Sequence, residues 1–297
     1  MSFRSGFVTL LGKPNTGKST LLNALVGAKV AIVSAKPQTT RTYLQGVLTR
    51  EQAQIIFVDT PGTHRPLSRL NREMMGAVRQ ALEGVNLILL VVDASREPST
   101  EDKIAVELAR TAQRPSFLVL NKIDRMDKQV LLPRIEHYRR QFDFAEYIPV
   151  SALRGENLPL LEQKTIEYLP EGPRYFPPDT LTDQPERFVA AERVREKLFQ
   201  EMREEVPYAT AVVVEKYEEG ERLVRIHATI FVERPQQKGI VIGAQGQRLK
   251  RVGRAARVEL EQLLGRKVYL ELFVKTREGW QDREEVRRLI DWRQGSV

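Results

Sequence analysis

Eight residues near the start of the chain, Gly12-Lys13-Pro14-Asn15-Thr16-Gly17-Lys18-Ser19, satisfy the spacing G-x-x-x-x-G-K-[ST]. A turn of this composition can present successive backbone N–H groups to a phosphate. The lysine adds a positive charge. Three further groups carry chemistry at later points. Asp59-Thr60-Pro61-Gly62 offers one carboxylate for a hydrated cation and one glycine N–H for a terminal phosphate. Asn121-Lys122-Ile123-Asp124 is more specific, because the carboxylate of Asp124 can accept from the N1–H and the N2 amino group of guanine. Adenine has neither donor there, so binding it would leave a buried charge unpaired at a cost of several kcal/mol. Ser151-Ala152-Leu153 can supply a backbone N–H to guanine O6.

These groups are useful only if strands and helices bring them together. Phe7 to Leu11 reads as a buried strand, and Leu21, Leu22 and Leu25 carry helical spacing directly after the first motif. Strand, glycine turn and helix start is the geometry that aims orphan N–H groups and the helix dipole at an anion. Lys29 to Thr42, with Gln38-Thr39-Thr40-Arg41, reads as a mobile loop. Strands are expected at Tyr43–Thr49, Gln54–Val58, Val85–Asp93, Ser116–Leu120 and Tyr147–Val150, with helices around Ile104 and Leu108 and over Glu156–Tyr168. Each motif then falls at the C-terminal end of a strand, where open α/β sheets bind ligands. Alternating strands and helices imply a mostly parallel sheet with helices on both faces.

Composition narrows the class. With 297 residues, 41% hydrophobic and 29% charged, the chain has material for two globular cores. It has no cysteine, which excludes disulfides and thiolate metal sites and suits a reducing cytosol. The first strand begins too early to leave room for a signal peptide, and the longest apolar run, Leu87 to Val92, is too short to span a bilayer. The net charge of +8 suggests an anionic partner.

The four motifs, in this order and at strand ends, resemble the translation-factor class of P-loop GTPases. That resemblance implies that Gly12 through Thr20 contact GTP or GDP. It gives Lys18 the β- and γ-phosphates, and gives Mg²⁺ to Ser19, Thr40 and, through water, Asp59. Thr39 is the alternative to Thr40 as the residue that closes on the cation. Lys18, Thr40 and Gly62 are the catalytic candidates, while Asn121, Lys122, Asp124, Ser151, Ala152 and Leu153 surround the base. The chain departs from Ras-type members at Thr63, where those carry a water-orienting glutamine; His64 is a candidate substitute. Slow intrinsic turnover with outside assistance is expected. Asn15 either shapes the loop or holds a K⁺ beside the phosphates, as similar GTPases do.

The remainder reads as a second domain. Pro170, Pro173, Pro177, Pro178 and Pro185 suggest a stiff connector, dividing the chain into a GTPase domain at 1–170, a linker at 171–182 and a further domain at 183–297. In that domain Val194, Leu198 and Met202 mark a helix, and Ala211–Tyr217 with Leu223–Glu233 mark a hairpin. A helix follows with Leu249, Val252, Ala256, Leu260 and Leu263 inward, then a strand through Val268, Leu270, Leu272 and Val274. A last helix carries Val286, Leu289 and Ile290. Before the middle helix lies Gly239-Ile240-Val241-Ile242-Gly243-Ala244-Gln245-Gly246. Charge is nearly balanced over 171–297, with 24 basic and 22 acidic residues, yet 234–258 holds seven Lys/Arg and no acid. A local basic patch is therefore the signal, not the bulk charge.

This order of elements resembles the type II KH domain, whose G-x-x-G loop clamps a nucleic-acid backbone. On that resemblance Lys238, Gly239, Ile240, Ile242, Gly243, Ala244, Gln245, Gly246, Arg248, Lys250, Arg251 and Arg254 bind single-stranded RNA. The fold expected is therefore an α/β P-loop GTPase domain plus a smaller α+β type II KH domain. The pairing resembles the Era family of bacterial ribosome-assembly GTPases, which implies 16S rRNA near its 3′ end and the 30S subunit as partners. It also implies a cytoplasmic protein with peripheral association at the inner face of the membrane. The rival is a membrane- or protein-docking regulatory GTPase whose second domain binds no RNA.

Overall fold

The computed structural model describes residues 2–34, 36, 39–63, 69–202 and 206–280, the side chains of 69–71 excepted. The chain divides into two compact units, residues 1–183 and 184–297. Expectations for His64 and for the last helix through Val286, Leu289 and Ile290 lie outside the described residues.

The first unit is built on a six-stranded sheet. Its strands are β1 (Arg4–Leu11), β2 (Leu44–Thr49), β3 (Ala53–Asp59), β4 (Leu87–Asp93), β5 (Ser116–Asn121) and β6 (Glu146–Pro149). They lie in the order β2-β3-β1-β4-β5-β6, parallel throughout except for β2, which runs antiparallel to β3. Every residue of β3, β4 and β5 is buried, which explains why these strands read as continuous apolar runs instead of alternating ones. Helices α1 (Lys18–Val26) and α5 (Leu158–Tyr168) pack on one face through Leu21, Leu22, Leu25 and Leu161. Helices α2 (Arg69–Gln80), α3 (Thr100–Ala112) and α4 (Leu131–Arg139) cover the other, through Val78, Val106 and Tyr138. The centre of the sheet is thus sealed from water. The C-terminal ends of β1, β3, β4 and β5 are left as a row of strand-to-loop transitions.

Residues 171–182 do not stand apart as the expected linker; they belong to the first unit. Gly172 N–H donates to Phe3 O at 3.1 Å, and Val47 N–H donates to Leu181 O at 2.9 Å. The side-chain carbonyl of Gln54 accepts from the N–H groups of Tyr175 (2.8 Å) and Phe176 (3.0 Å). The Thr182 hydroxyl donates to Gln45 O at 2.7 Å. At Leu181 and Thr182 the physical cause is the exposed edge of β2, whose unpaired backbone groups find partners in the passing chain, while Glu171 and Gly172 pair beside the start of β1. Prolines limit helix formation here but not pairing with an edge.

The second unit has helix α6 (Glu186–Glu201), strands β7 (Thr210–Glu219) and β8 (Leu223–Val232), helices α7 (Pro235–Ile242) and α8 (Gln247–Leu264), and strand β9 (Lys267–Thr276). Its sheet is ordered β7-β8-β9, with β8 antiparallel to β7 and parallel to β9. Val194 and Leu198 of α6 and Val252, Ala256 and Leu260 of α8 form its core with Ile226 and Ile230 of β8. One expected core position is wrong: Leu263 is 52% exposed. In the last turn of α8 the core contact is made by its neighbour Leu264.

Candidate functional site

Helix α1 begins directly on the glycine turn. Gly17 precedes it with φ 96°, no side chain caps the helix, and no acidic residue occupies its first turn. Its leading N–H groups are therefore available to an anion. The Lys18 ammonium is buried and donates to the carbonyls of Gly12 (2.8 Å) and Lys13 (3.0 Å). Burial pulls its pKa down to about 8, with Asp59 acting in the opposite direction. Pro14, Asn15, Gly17, Lys18 and Ser19 line a pocket with Thr39, Thr40, Thr60 and Gly62.

Three oxygen groups from distant parts of the sequence converge beside this pocket. The Ser19 hydroxyl donates to Asp59 Oδ2 at 2.6 Å, and the Thr40 hydroxyl donates to the same atom at 3.3 Å. The two hydroxyls lie 3.1 Å apart. Asp59 Oδ1 is buried without a hydrogen-bond partner. Burial pushes the Asp59 carboxyl up, while Lys18 and the two hydroxyls pull it back. Two hydroxyls and a carboxylate with a spare lone-pair site form a hard-oxygen set suited to Mg²⁺ and its waters. Thr39 takes no part, since its hydroxyl donates to Lys36 O at 2.8 Å.

The D-x-x-G segment is locked against the glycine turn. Thr63 N–H donates to Gly12 O at 3.1 Å, and a Cβ on Gly62 would stand 2.5 Å from Pro14 N. Only glycine permits that approach. The base-reading residues are tied in equally tightly. Asn121 donates to Thr16 O at 2.8 Å and accepts from Ala152 N–H at 3.0 Å, so one side chain joins three of the motifs. A Cβ on Gly17 would collide with the Asn121 amide at 2.4 Å. Asp124 is oriented by the Ser151 hydroxyl at 2.6 Å. Leu153 is 69% exposed at the margin of this region.

Two anchors were not read from the sequence. The Lys122 ammonium bridges Asn15 O (2.5 Å) and Asp93 Oδ2 (2.7 Å), so Asp93 positions the lysine that backs the loop. Lys13, expected at the nucleotide, instead sends its ammonium to Asp102 (2.6 Å) and Ser99 (3.1 Å). Its backbone alone faces the phosphate turn. Ser99 and Asp102 form the capping box of α3, and that S-x-x-D pattern was the signal available.

In the second unit the G-x-x-G turn joins α7 to α8. Gly243 (φ 72°), Gln245 (φ 50°) and Gly246 (φ 73°) all adopt left-handed backbone. A Cβ on Gly246 would meet nothing within 4 Å, so this turn faces open space. Ile240 is 40% exposed and Ile242 is half-buried against the core. Lys238, Lys250 and Arg254 are exposed and have no ion-pair partner among the described residues. Arg248 and Arg251 are already engaged, donating to Ile240 O at 2.5 Å and to Glu201 at 3.0 Å.

A G-x-x-x-x-G-K-S turn, a D-x-x-G segment and an N-K-x-D tetrad on the strand ends of a parallel sheet define a P-loop GTPase. The helix–turn–helix on the second sheet makes its companion a KH domain. Residues 7–122 match the family model described as 50S ribosome-binding GTPase, and residues 205–281 match the KH domain model. The chain belongs to the Era family of GTPases. It is 49% identical to GTPase Era of Geobacter metallireducens over 96% of both chains, and 49% identical to that of Trichlorobacter lovleyi over 98% of both. Two solved Era structures, each 41% identical and covering 98% of this chain and 99% of their own, superpose on it. One is an Aquifex aeolicus Era variant bound to GDP and aluminium fluoride, with a TM-score of 0.93. The other is Era with MgGDPNP and nucleotides 1506–1542 of 16S ribosomal RNA, with a TM-score of 0.94.

Proposed function

We propose that this chain is a GTP-driven switch that binds 16S rRNA near its 3′ end and assists assembly of the small ribosomal subunit in the cytoplasm. The observation that carries the switch is the convergence of Ser19, Thr40 and Asp59 beside Lys18. Thr40 reaches this cluster from a loop outside the sheet. A γ-phosphate and its cation would hold it there, and hydrolysis would release it.

Ser19, Thr40 and, through water, Asp59 are the residues that would hold Mg²⁺, which supplies charge neutralisation at the phosphates when bound. Lys18 balances charge on the β- and γ-phosphates, Gly62 N–H orients the γ-phosphate, and Asp124 selects guanine. These residues position the reactants and hold charge; none is asked to form a covalent intermediate. Thr63 offers no water-orienting carboxamide, so intrinsic turnover is slow. Asn15 would help hold a K⁺ beside the phosphates, which would supply positive charge there when bound, and hydrolysis should run faster in K⁺ than in Na⁺ at equal ionic strength. Equal rates would remove K⁺ from the mechanism.

The G-x-x-G turn and the free cations at Lys238, Lys250 and Arg254 hold single-stranded RNA, with bases against Ile240 and Ile242. The basic surface is assigned to RNA and not to the inner face of a membrane. The test is affinity of the full chain for RNA spanning 16S nucleotides 1506–1542, with GTP analogue or GDP, in competition with anionic vesicles. Gly246→Asp should abolish RNA binding and leave GTP binding intact, because aspartate tolerates the left-handed backbone while its charge repels phosphate. Unchanged RNA affinity in this variant, or preference for vesicles, would overturn the reading.

A further inference from the structure

The sheet of the second unit has two faces: one packs against α6 and α8, and the other carries only a small buried cluster at one end. Val268 and Val274 of β9 point toward α6 and α8 in the core, with Leu270 and Leu272 packed against it. By the two-residue period of a strand, Tyr269, Glu271, Phe273 and Lys275 point the other way. The register places Arg225 beside Tyr269, His227 beside Glu271, and Thr229 beside Phe273 on that outer face. At one end Trp280 covers it, packing with Ala211, Val213 and Phe231 and donating its indole N–H to Ala209 O at 3.0 Å. The other end is open. Tyr269 is 49% exposed and Phe273 44% exposed.

The charges around these rings are unevenly satisfied. Lys275 is paired with Glu215, Lys216 with Glu218, and His227 with Glu271. Arg225 stands opposite Glu218 in the ladder; Lys216 makes the ion pair with that carboxylate at 2.7 Å, and the charge of Arg225 acts on it only from beyond ion-pair distance. Among the described residues neither Arg225 nor Lys267 has an ion-pair partner. The exposed tyrosine is thus flanked by two unpaired cations, one across the ladder and one two residues earlier on its own strand. The His227 ring lies 6.2 Å from the tyrosine ring, closing one side of the platform. An aromatic face framed by unpaired cations matches an unpaired base with phosphates on either side. An apolar protein-docking patch would gain nothing from desolvating two unpaired charges.

We infer that the outer face of this sheet is a second RNA contact, in which Tyr269 stacks on an unpaired base while Arg225 and Lys267 hold the adjoining phosphates. This rests on the reading of the unit as an RNA binder. The contact is separate from the G-x-x-G turn, so one strand of sufficient length would occupy both. A short strand would fill the turn alone, because a KH groove clamps about four nucleotides.

The test compares two RNAs on the full chain: 16S nucleotides 1506–1542, and a single strand of about six nucleotides, enough for one such groove. Tyr269→Ala should weaken the long RNA about tenfold, the loss of one stacked base, and the short one less than twofold. Tyr269→Phe keeps the ring and should stay within about twofold on both. Arg225→Gln and Lys267→Gln should each weaken the long RNA and reduce the salt dependence of its binding by about one phosphate contact. Unchanged affinity of Tyr269→Ala for the long RNA, with a wild-type melting curve, overturns the inference. So does an equal loss on both RNAs, or a loss confined to anionic vesicles. Gly246→Asp separates the two claims: if it leaves both RNAs bound, the RNA reading of the unit fails, whatever Tyr269 does.

Discussion

The hydroxyl of Ser19, in the first turn of α1, lies 3.1 Å from the hydroxyl of Thr40, and both donate to one oxygen of Asp59. The two residues come from a rigid helix start and from a loop, so their meeting point is where nucleotide state can become loop position. Replacing Thr40 removes the loop's only hydroxyl in that cluster and leaves the phosphate turn untouched. Thr40→Ala should therefore slow GTP hydrolysis at least about tenfold while GDP affinity stays within about twofold, one contact being worth ~1.4 kcal/mol or more in the transition state. Single-turnover hydrolysis and GDP titration check the two halves separately.

The lowered pKa of Lys18 makes nucleotide binding proton-linked. In the free protein burial brings its ammonium to about 8. A bound phosphate favours the charged form and raises it again. Below pH 8 the lysine is protonated both free and bound, so affinity should be flat. Above it the free lysine is neutral, binding takes up a proton, and GDP affinity should fall by at most about tenfold per pH unit. Calorimetry at pH 8.5 in two buffers of different ionisation heat should reveal net proton uptake. No uptake would mean that Lys18 stays charged in the empty site.

On the proposed reading, Asp124 sets base choice. Asp124→Asn presents an amide donor to the N1–H and amino group of guanine, leaving donors facing donors. GTP affinity should fall at least about a hundredfold, from an unpaired buried group of ~3 kcal/mol. Xanthosine triphosphate, which carries a carbonyl at C2, should gain. Competition between the two nucleotides on the variant measures the exchange.

The Lys13–Asp102 pair fastens the phosphate turn to α3. Asp102 is buried and Lys13 nearly so, at 2.6 Å. Asp102→Ala leaves that ammonium without its carboxylate and removes the capping box, which should destabilise the first unit by about 2–3 kcal/mol. Its denaturation midpoint by circular dichroism should drop, and saturating GDP should recover part of the loss.

Thr63 points the other way. Its side chain is fully buried and its hydroxyl has no hydrogen-bond partner among the described residues. Thr63→Val removes that unsatisfied group at constant shape and should stabilise the unit by about 1 kcal/mol, or ~2–4 °C in its melting transition. A lower midpoint would show that the hydroxyl makes a compensating contact in solution.

The amino-acid sequence by itself determined which chemistry is present. The spacing of Gly12 to Ser19, the Asn121–Asp124 tetrad and the Gly243–Gly246 turn are local patterns, and each depends on backbone that a few adjacent residues specify. The buried strands were legible for the same reason, since β3 to β5 are apolar along their whole length. What depended on distant residues was not legible. The resemblance already placed Thr40 ahead of Thr39, but the 3.3 Å from its hydroxyl to Asp59 Oδ2 is a contact that only the tertiary structure supplies. The tertiary structure alone turned Lys13 away to Asp102 and recruited Asp93 to Lys122, since ion-pair partners 89 and 29 positions apart leave no mark on either segment. It also bound 171–182 to the first unit, where an open sheet edge decided what the prolines could not, and left Tyr269 half-exposed on the outer face of the second sheet.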